Sequence, residues 1–513
     1  MAYLSPEDRH QLQIRSMEEC IGKDNPVRFI DVFADQLDLP KLGFILTEVK
    51  TEGRPAFDPR VFLKLYLYGY LNGLRSSRKL GKEAIRNVEV HWLLGQLAPN
   101  YHSISDFRKI NPKALRSTFK LFVLFLKDAD LITGKVVAID GTKVRASNSK
   151  KNNYSAKKIE RHLTYIAEKT NEYLSELDRN DLQDQPERVS QIQEKIAKLK
   201  ANKIKYEVLG EALSESQEPQ ISTTDPDARA LLVQGQVVEV SYNMQAAVDQ
   251  KHNLVVATHT INRNDRNALG DIAIETKSNL SLDTFTALVD KGYHNGRELE
   301  TCQKAGISTI VAPPTIVNSN EHGTTADYVV THFVYDSESD TYVCPAGSTL
   351  KTSGTWHKKS RERDSYQFKK YRTPDCKECL VKHLCTGRAK GGREIERSQY
   401  AEAVALNTAN YRANAELYRK RQEINEHIFG TIKRQWGYNH TNLRGLAKVN
   451  GEMALIMTVY NMKRAINIMG IEKLLGKLKE WKPDYTKAAF ISSIRAISRR
   501  FDEHCFYDLA GAA

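Results

Sequence analysis

Val136-Val137-Ala138-Ile139-Asp140-Gly141-Thr142-Lys143 decides the fold of this chain. β-branched and small apolar residues run straight into a carboxylate, the pattern of a buried strand that delivers an acid at its end. A second such run, Ala287-Leu288-Val289, leads into Asp290, and a third acid, Glu426, lies in the helical stretch from Tyr418 to Trp436. Two acids at strand ends and one on a later helix are suitable oxygen ligands for two magnesium ions about 4 Å apart. Rigid elements would hold them while positions stay open for the attacking and leaving oxygens of a phosphodiester.

Working outward, the residues after Asp140 read as a helical hairpin inserted behind the first strand. Ile159, Leu163 and Ile166 share one helical face and Ile192, Ile196 and Leu199 another, with a reversal between Leu177 and Pro186. Strands resume at Val237 to Val248 and return as Leu254 to Ile261, an antiparallel hairpin turning at Asp249 to Asn253. A helix over about 267–280, the Asp290 strand, a helix over about 296–305 and the strand Ile307 to Ala312 follow. With the hairpin arm set aside, the order is three strands, helix, strand, helix, strand, which matches a ribonuclease H-like α/β fold.

Before the first strand, residues 26 to 126 read as all-helical. Asp58-Pro59 starts one helix, and Ser76 or Ser77 starts another that carries Arg78, Lys79, Lys82 and Arg86. A short basic helix of this kind suits a helix-turn-helix DNA-binding unit, and equally an ordinary bundle with a solvated face. After Pro313-Pro314 an irregular basic stretch is expected up to Arg397, followed by helices. From Lys358 to Arg397 there are 13 Lys and Arg against 6 Asp and Glu, +7 of the chain's net +13. Tyr366, Phe368 and Tyr371 alternate there with Lys369, Lys370 and Arg372, as on a surface gripping a sugar-phosphate backbone.

The 513 residues are enough for several domains, and the basic balance favours a polyanionic partner. No apolar run is long enough to cross a bilayer, no signal-peptide core is present, and no glycine-rich phosphate loop suggests nucleotide hydrolysis, so a cytoplasmic protein is expected. Seven cysteines, odd in number, argue for reduced thiols. Cys344, Cys376, Cys379 and Cys385 are candidate ligands for one structural zinc, with the usual two-residue gap between Cys376 and Cys379 and His383 as a substitute ligand; four partly buried thiols are the competing reading.

Three segments carry a family resemblance: Ala138 to Lys143, Val289-Asp290-Lys291-Gly292-Tyr293, and Glu426-His427-Ile428-Phe429-Gly430-Thr431-Ile432-Lys433, with Tyr242-Asn243-Met244-Gln245 in support. In these the chain resembles bacterial insertion-sequence transposases of the Asp-Asp-Glu superfamily, in the branch marked by a Tyr-Arg-Glu-Lys signature. The resemblance implies Asp140, Asp290 and Glu426 as catalytic acids holding two Mg²⁺, and Lys433 as the signature lysine. Seven residues separate Glu426 from Lys433, two turns of an α-helix, so both should face the same way. The signature's tyrosine and arginine would fall at Arg419 and Gln422, whereas Tyr418 and Arg421 stand one residue early.

The expected organisation is a helical DNA-binding region over 1–130 and a ribonuclease H-like catalytic domain over 131–470. The latter would include a hairpin arm (155–210) and a basic Cys-containing insertion (315–398), with a tail over 471–513. The implied activity is cleavage and joining of double-stranded DNA at transposon ends and target, by a homodimer on DNA. A ribonuclease H-fold nuclease without strand transfer and a transposase-derived DNA-binding repressor stay as alternatives. Singly, each acid also has a bland reading: Asp140-Gly141 as a turn, Asp290 as a helix cap, Glu426 as a surface residue. Asp225, Asp227, Asp249 and Asp265 compete with them and are assigned to turns and caps, Asp249 being the main rival.

Overall fold

The computed structural model describes residues 10–12, 14–45, 55–181, 186–216, 218–233, 237–314, 324–360, 365–388 and 390–486. Most of the expected tail, beyond 486, lies outside the described residues, as do the reversal at 182–185 and residues 315–323 and 361–364 of the insertion.

Helices fill the amino-terminal part, and their starts are written locally. Asn25, Asp58 and Asn100 each accept a hydrogen bond from the first turn of the helices Pro26–Asp35, Pro59–Leu71 and Tyr101–Ile110, and proline opens the first two. Phe29, Phe33, Phe122 and Phe125 pack against one another with ring centroids 5.0 to 6.2 Å apart, joining Pro26–Asp35 to the long helix Pro112–Asp128.

The central sheet is mixed. Its strands run in the spatial order Leu254–Ile261, Val237–Asp249, Val136–Arg145, Phe285–Val289, Ile307–Val311, and Arg229–Val233 extends the second of these. The first three are antiparallel and the last two parallel to Val136–Arg145. Helices Leu269–Leu280 and Gly296–Lys304 connect the later strands, the element order expected from the sequence. The helical arm is present as Ala156–Asp181 and Pro186–Ser216.

Both outer strands are held by asparagines from helices. Asn461 and Asn450 on Leu446–Met469 each pair with the backbone N–H and C=O of Val255 and Thr260, respectively, and Asn407 on Ala401–Ala413 does the same at Val311.

The basic insertion is not irregular. Residues Val334–Asp336, Thr341–Val343, Thr349–Thr352, His357–Lys359, Tyr366–Arg372 and Ile395–Ser398 form a second, antiparallel six-stranded sheet. Five of its six strands have only three or four residues, too few for a period-2 signal to stand out.

A buried carboxylate ties the amino-terminal helices to the rest. Glu452, fully buried on Leu446–Met469, lies 2.7 Å from Arg75 and 3.8 Å from Arg108, and accepts from the backbone N–H of Asn442 and Leu443. Burial alone would push this acid up, but Arg108 and Arg75 outweigh it and hold it below the usual carboxylate range. Removing the charge leaves two buried guanidinium groups uncompensated. Glu452→Gln should therefore cost roughly 3–5 kcal/mol of unfolding free energy, read by urea denaturation.

Lys120 poses the opposite case. It is 2% exposed on Pro112–Asp128, its Nζ has no hydrogen-bond partner, and burial pushes it from 10.5 down to about 8 despite the attraction of Glu275. Below pH 8 the unfolded and folded chains both carry the proton, and the folded one bears the full penalty, about 3 kcal/mol. Between about 8 and 10.5 the unfolded chain binds more protons, so the penalty shrinks as pH rises. Lys120→Met should raise Tm at neutral pH, and its advantage should fade toward pH 10.5.

Candidate active site

Parallel pairing aligns Ile139 with Val289, so the residues that follow them, Asp140 and Asp290, emerge side by side. Asp140 does not end its strand: pairing continues to Arg145, with Asp140 opposite Ala246, so Asp140-Gly141 is not a turn. Asp290 does end its strand and accepts from the Gly292 N–H at the start of a short 3₁₀ turn, so its capping role is real as well. Arg421, on the helix Ala415–Phe429, reaches both acids, with Nη1 3.4 Å from Asp140 and Nη2 3.4 Å from Asp290. Burial raises Asp140 to about 6, the Gly141 amide and Arg421 pull it down, and Asp265 and Asp290 add to the rise.

Asp265 belongs to this cluster, not to a cap as its sequence context suggested. Its carboxylate takes the Lys143 ammonium at 3.0 Å, Asn243 Nδ2 at 2.7 Å and Gln245 Nε2 at 3.0 Å. Burial works to raise it, but Lys143 and these hydrogen bonds prevail and hold it below the usual range. Alternation along Val237–Asp249 presents Asn243 and Gln245 on one face, and Gln245 in turn accepts from the Tyr293 hydroxyl. Gly141 is required beneath this network: a Cβ there would lie 2.3 Å from Gln245 Nε2 and 2.6 Å from Asp265 Oδ1. The Asn243/Gln245 alternation was the available signal, since two amides in an otherwise buried apolar strand need a polar partner.

The other rival acids are structural. Asp249 is fully buried and accepts from the Gly134 N–H at 2.7 Å and the Lys251 N–H at 2.9 Å. Asp225 and Asp227 accept from Gly445 and Leu446 N–H at the start of the helix Leu446–Met469.

Glu426 is exposed on the Arg421 helix and accepts from Gln422 at 2.7 Å. The straight-helix argument linking it to Lys433 does not hold, because residues Gly430–Gln435 wind as a π-helix and rotate Lys433 out of the α phase. Lys433 instead donates to Thr142 Oγ1 and the Lys143 carbonyl, both at 3.0 Å, next to the Asp140 strand. Burial lowers its pKa, with Lys143, Arg145 and Arg434 adding to the fall and Glu239 opposing it. Arg421, not Gln422, faces the acids despite standing one residue early.

Arg78, Lys79, Lys82 and Arg86 are all exposed on the helix Ser77–Arg86, with Arg86 paired to Glu83 and Arg78 over the Tyr101 ring. Three basic residues of the insertion are engaged within it: Lys369 with Asp340 at 2.7 Å, Lys370 with Glu394 at 3.1 Å, and Arg372 with Glu394. The expected stacking surface is corrected here, since Phe368 and Tyr371 are both buried, on opposite faces of the strand Tyr366–Arg372.

The chemistry of the donors at Asp140 and Asp290 fits a divalent cation. They are hard oxygen ligands, and a guanidinium already supplies positive charge between them. Glu426 is not drawn in with them: among the described residues no group of three or more His, Cys, Asp or Glu is arranged to hold a metal ion.

Residues 343–466 match the family model of the transposase DDE domain, and residues 15–110 match a transposase domain, DUF772. Both matched families are transposase domains, which supports an insertion-sequence transposase of the Asp-Asp-Glu superfamily. The DDE match takes in Glu426 and Lys433, whereas Asp140 and Asp290 lie outside both matched segments. No curated protein and no solved structure matches the chain. No helix among the described residues is long and apolar enough to cross a membrane.

Substituting Gly141→Ala would push Gln245 and Asp265 away from Asp140 without touching the amino-terminal helices. DNA cleavage should fall by about 100-fold while DNA retention in a gel-shift assay stays unchanged.

Proposed function

We propose that this transposase binds the terminal inverted repeats of its own element, cleaves the DNA at their ends and joins the freed 3′ hydroxyls to a target. The proposal includes a ribonuclease H-like catalytic core, with Asp140, Asp290 and Glu426 as the acids and Lys433 and Arg421 in the parts of the Tyr-Arg-Glu-Lys branch. The observation that carries this reading is the meeting of Asp140 and Asp290 on adjacent parallel strands, bridged by Arg421 from the Glu426 helix.

Asp140 and Asp290 would hold Mg²⁺, with Glu426 joining them through a shift of its exposed side chain. Bound there, the two ions would supply Lewis-acid stabilisation of the attacking and leaving oxygens in an in-line displacement. The chain's own residues do the rest. Lys143, Asn243 and Gln245 hold Asp265 ionised beside Asp140, and Gly141 leaves the space for that network. Lys433, fixed by Thr142 and the Lys143 carbonyl, places a cation where a phosphate flanking the scissile bond would lie.

Arg421 neutralises the acid pair in this state and would turn to the DNA phosphate once the acids bind metal. The exposed Arg78, Lys79, Lys82 and Arg86 suit contact with the repeat. Lys369, Lys370 and Arg372 would reach DNA only by leaving their acidic partners. Two ends must be handled together, so the working form on DNA is a homodimer.

Purified protein with Mg²⁺ should cleave and join DNA carrying the repeats that flank its gene. Asp140→Ala, Asp290→Ala and Glu426→Ala should each lose at least about 1000-fold in cleavage, whereas exposed Glu423→Ala on the same helix should keep it. Cleavage without joined product would favour a nuclease. Specific binding with no cleavage by the unmodified chain would favour a repressor.

A further inference from the structure

Cys344, Cys376, Cys379 and Cys385, separated by up to 41 positions in the sequence, line one cavity of about 20 Å³ in the second sheet's module. Each is a free thiol, partly buried. The cavity is large enough for a single ion, and Phe333, Leu350 and Val381 line it together with the basic Lys382 and Arg393. We propose that these four sulfurs bind one structural Zn²⁺ that fastens the hairpin around Cys344 to the segment Cys376–Cys385.

Two further observations point the same way. The Cys344 turn is built to hold a thiolate: Gly347, at φ +85°, donates its N–H to the Cys344 carbonyl, and the Ser348 N–H donates to Cys344 Sγ at 3.2 Å. Arg393 lines the cavity with its Nε buried and lacking a hydrogen-bond partner, which an anionic sulfur cluster would satisfy.

The module also needs a fastening. Its own buried apolar cluster consists of Phe333, Tyr342, Leu350, Tyr371 and Ile395, with Cys344 and Cys385 packed against it. A core of that size is marginal without a cross-link or metal. Gly392 is held against Cys376, where a Cβ would lie 2.8 Å from Sγ, so the wall of the cavity is tightly fitted.

The sulfurs do not have metal-ligand geometry as they stand, and rotation of the cysteine side chains toward the shared cavity would be needed to reach Zn–S distances of about 2.3 Å. His383 does not line the cavity, which leaves the four cysteines as the ligand set. Binding forms four Zn–S bonds with release of the thiol protons to solvent, and no oxidant or reductant is involved.

Zinc analysis by mass spectrometry of the untagged full-length chain, purified without chelator, tests this independently of any DNA reaction. About one zinc per chain is expected, released stoichiometrically when an organomercurial caps the thiols. Cys376→Ser/Cys379→Ser should lose it and Asp140→Ala should keep it, which separates this site from the acids. Less than about a tenth of a zinc per chain, zinc that survives thiol capping, or a mass showing disulfides among the four would each overturn the proposal. The capping experiment uses the unmodified chain, so it decides the matter even if the double variant does not fold.

Discussion

One buried carboxylate ties the amino-terminal helices to the elements around the central sheet. Glu452 collects Arg75 from behind the helix Pro59–Leu71, Arg108 from Tyr101–Ile110, and two backbone N–H groups from the loop before its own helix. Arg75 also lies over the Tyr438 ring and donates to the His440 carbonyl, so the loop that follows the π-helical turn is held by the same network. That loop pairs in turn with the strand of Asp140, through the contact of Arg145 with His440 and Thr441. The amino-terminal helices and the acid cluster in the sheet are thereby linked by charge buried between them.

The candidate site is assembled by opposing charges that balance locally. Asp140 is pushed up by burial and by its acidic neighbours, whereas Asp265, almost as enclosed, is kept ionised by Lys143 and two amides. Two carboxylates a short distance apart thus have different proton affinities because their hydrogen-bond donors differ. Arg421 supplies the charge that lets Asp140 and Asp290 stand together.

The strands carrying Asp140 and Asp290 were legible because buried strands are written locally, as continuous β-branched runs with an acid behind them. The hairpin, the two crossover helices and the late helix Leu446–Met469 were legible for the same reason. Asp265 was not, because its neighbourhood is made by residues 143, 243 and 245, reached only through strand pairing. The second sheet was read as irregular because five of its six strands have only three or four residues, too few to establish a period. The π-helical turn at Gly430–Gln435 left no mark either, and it overturned the expectation that Glu426 and Lys433 share a face. For Arg421, the one-residue offset predicted a poor fit, yet a long side chain half-buried on the helix spans the difference.

The asparagines that grip the outer strands set a limit on how copies of this chain can meet. An open sheet ordinarily offers its outermost backbone groups as a template on which another strand can add. Here the outward N–H and C=O of Val255, Thr260 and Val311 are already occupied by amide side chains from packed helices. Strand addition is thereby opposed along Leu254–Ile261 and Ile307–Val311, whereas Arg229–Val233 is a further edge strand that these asparagines do not reach. At the two plugged strands the same plugging removes a route to aggregation that a long-stranded, basic, partly apolar protein would otherwise carry.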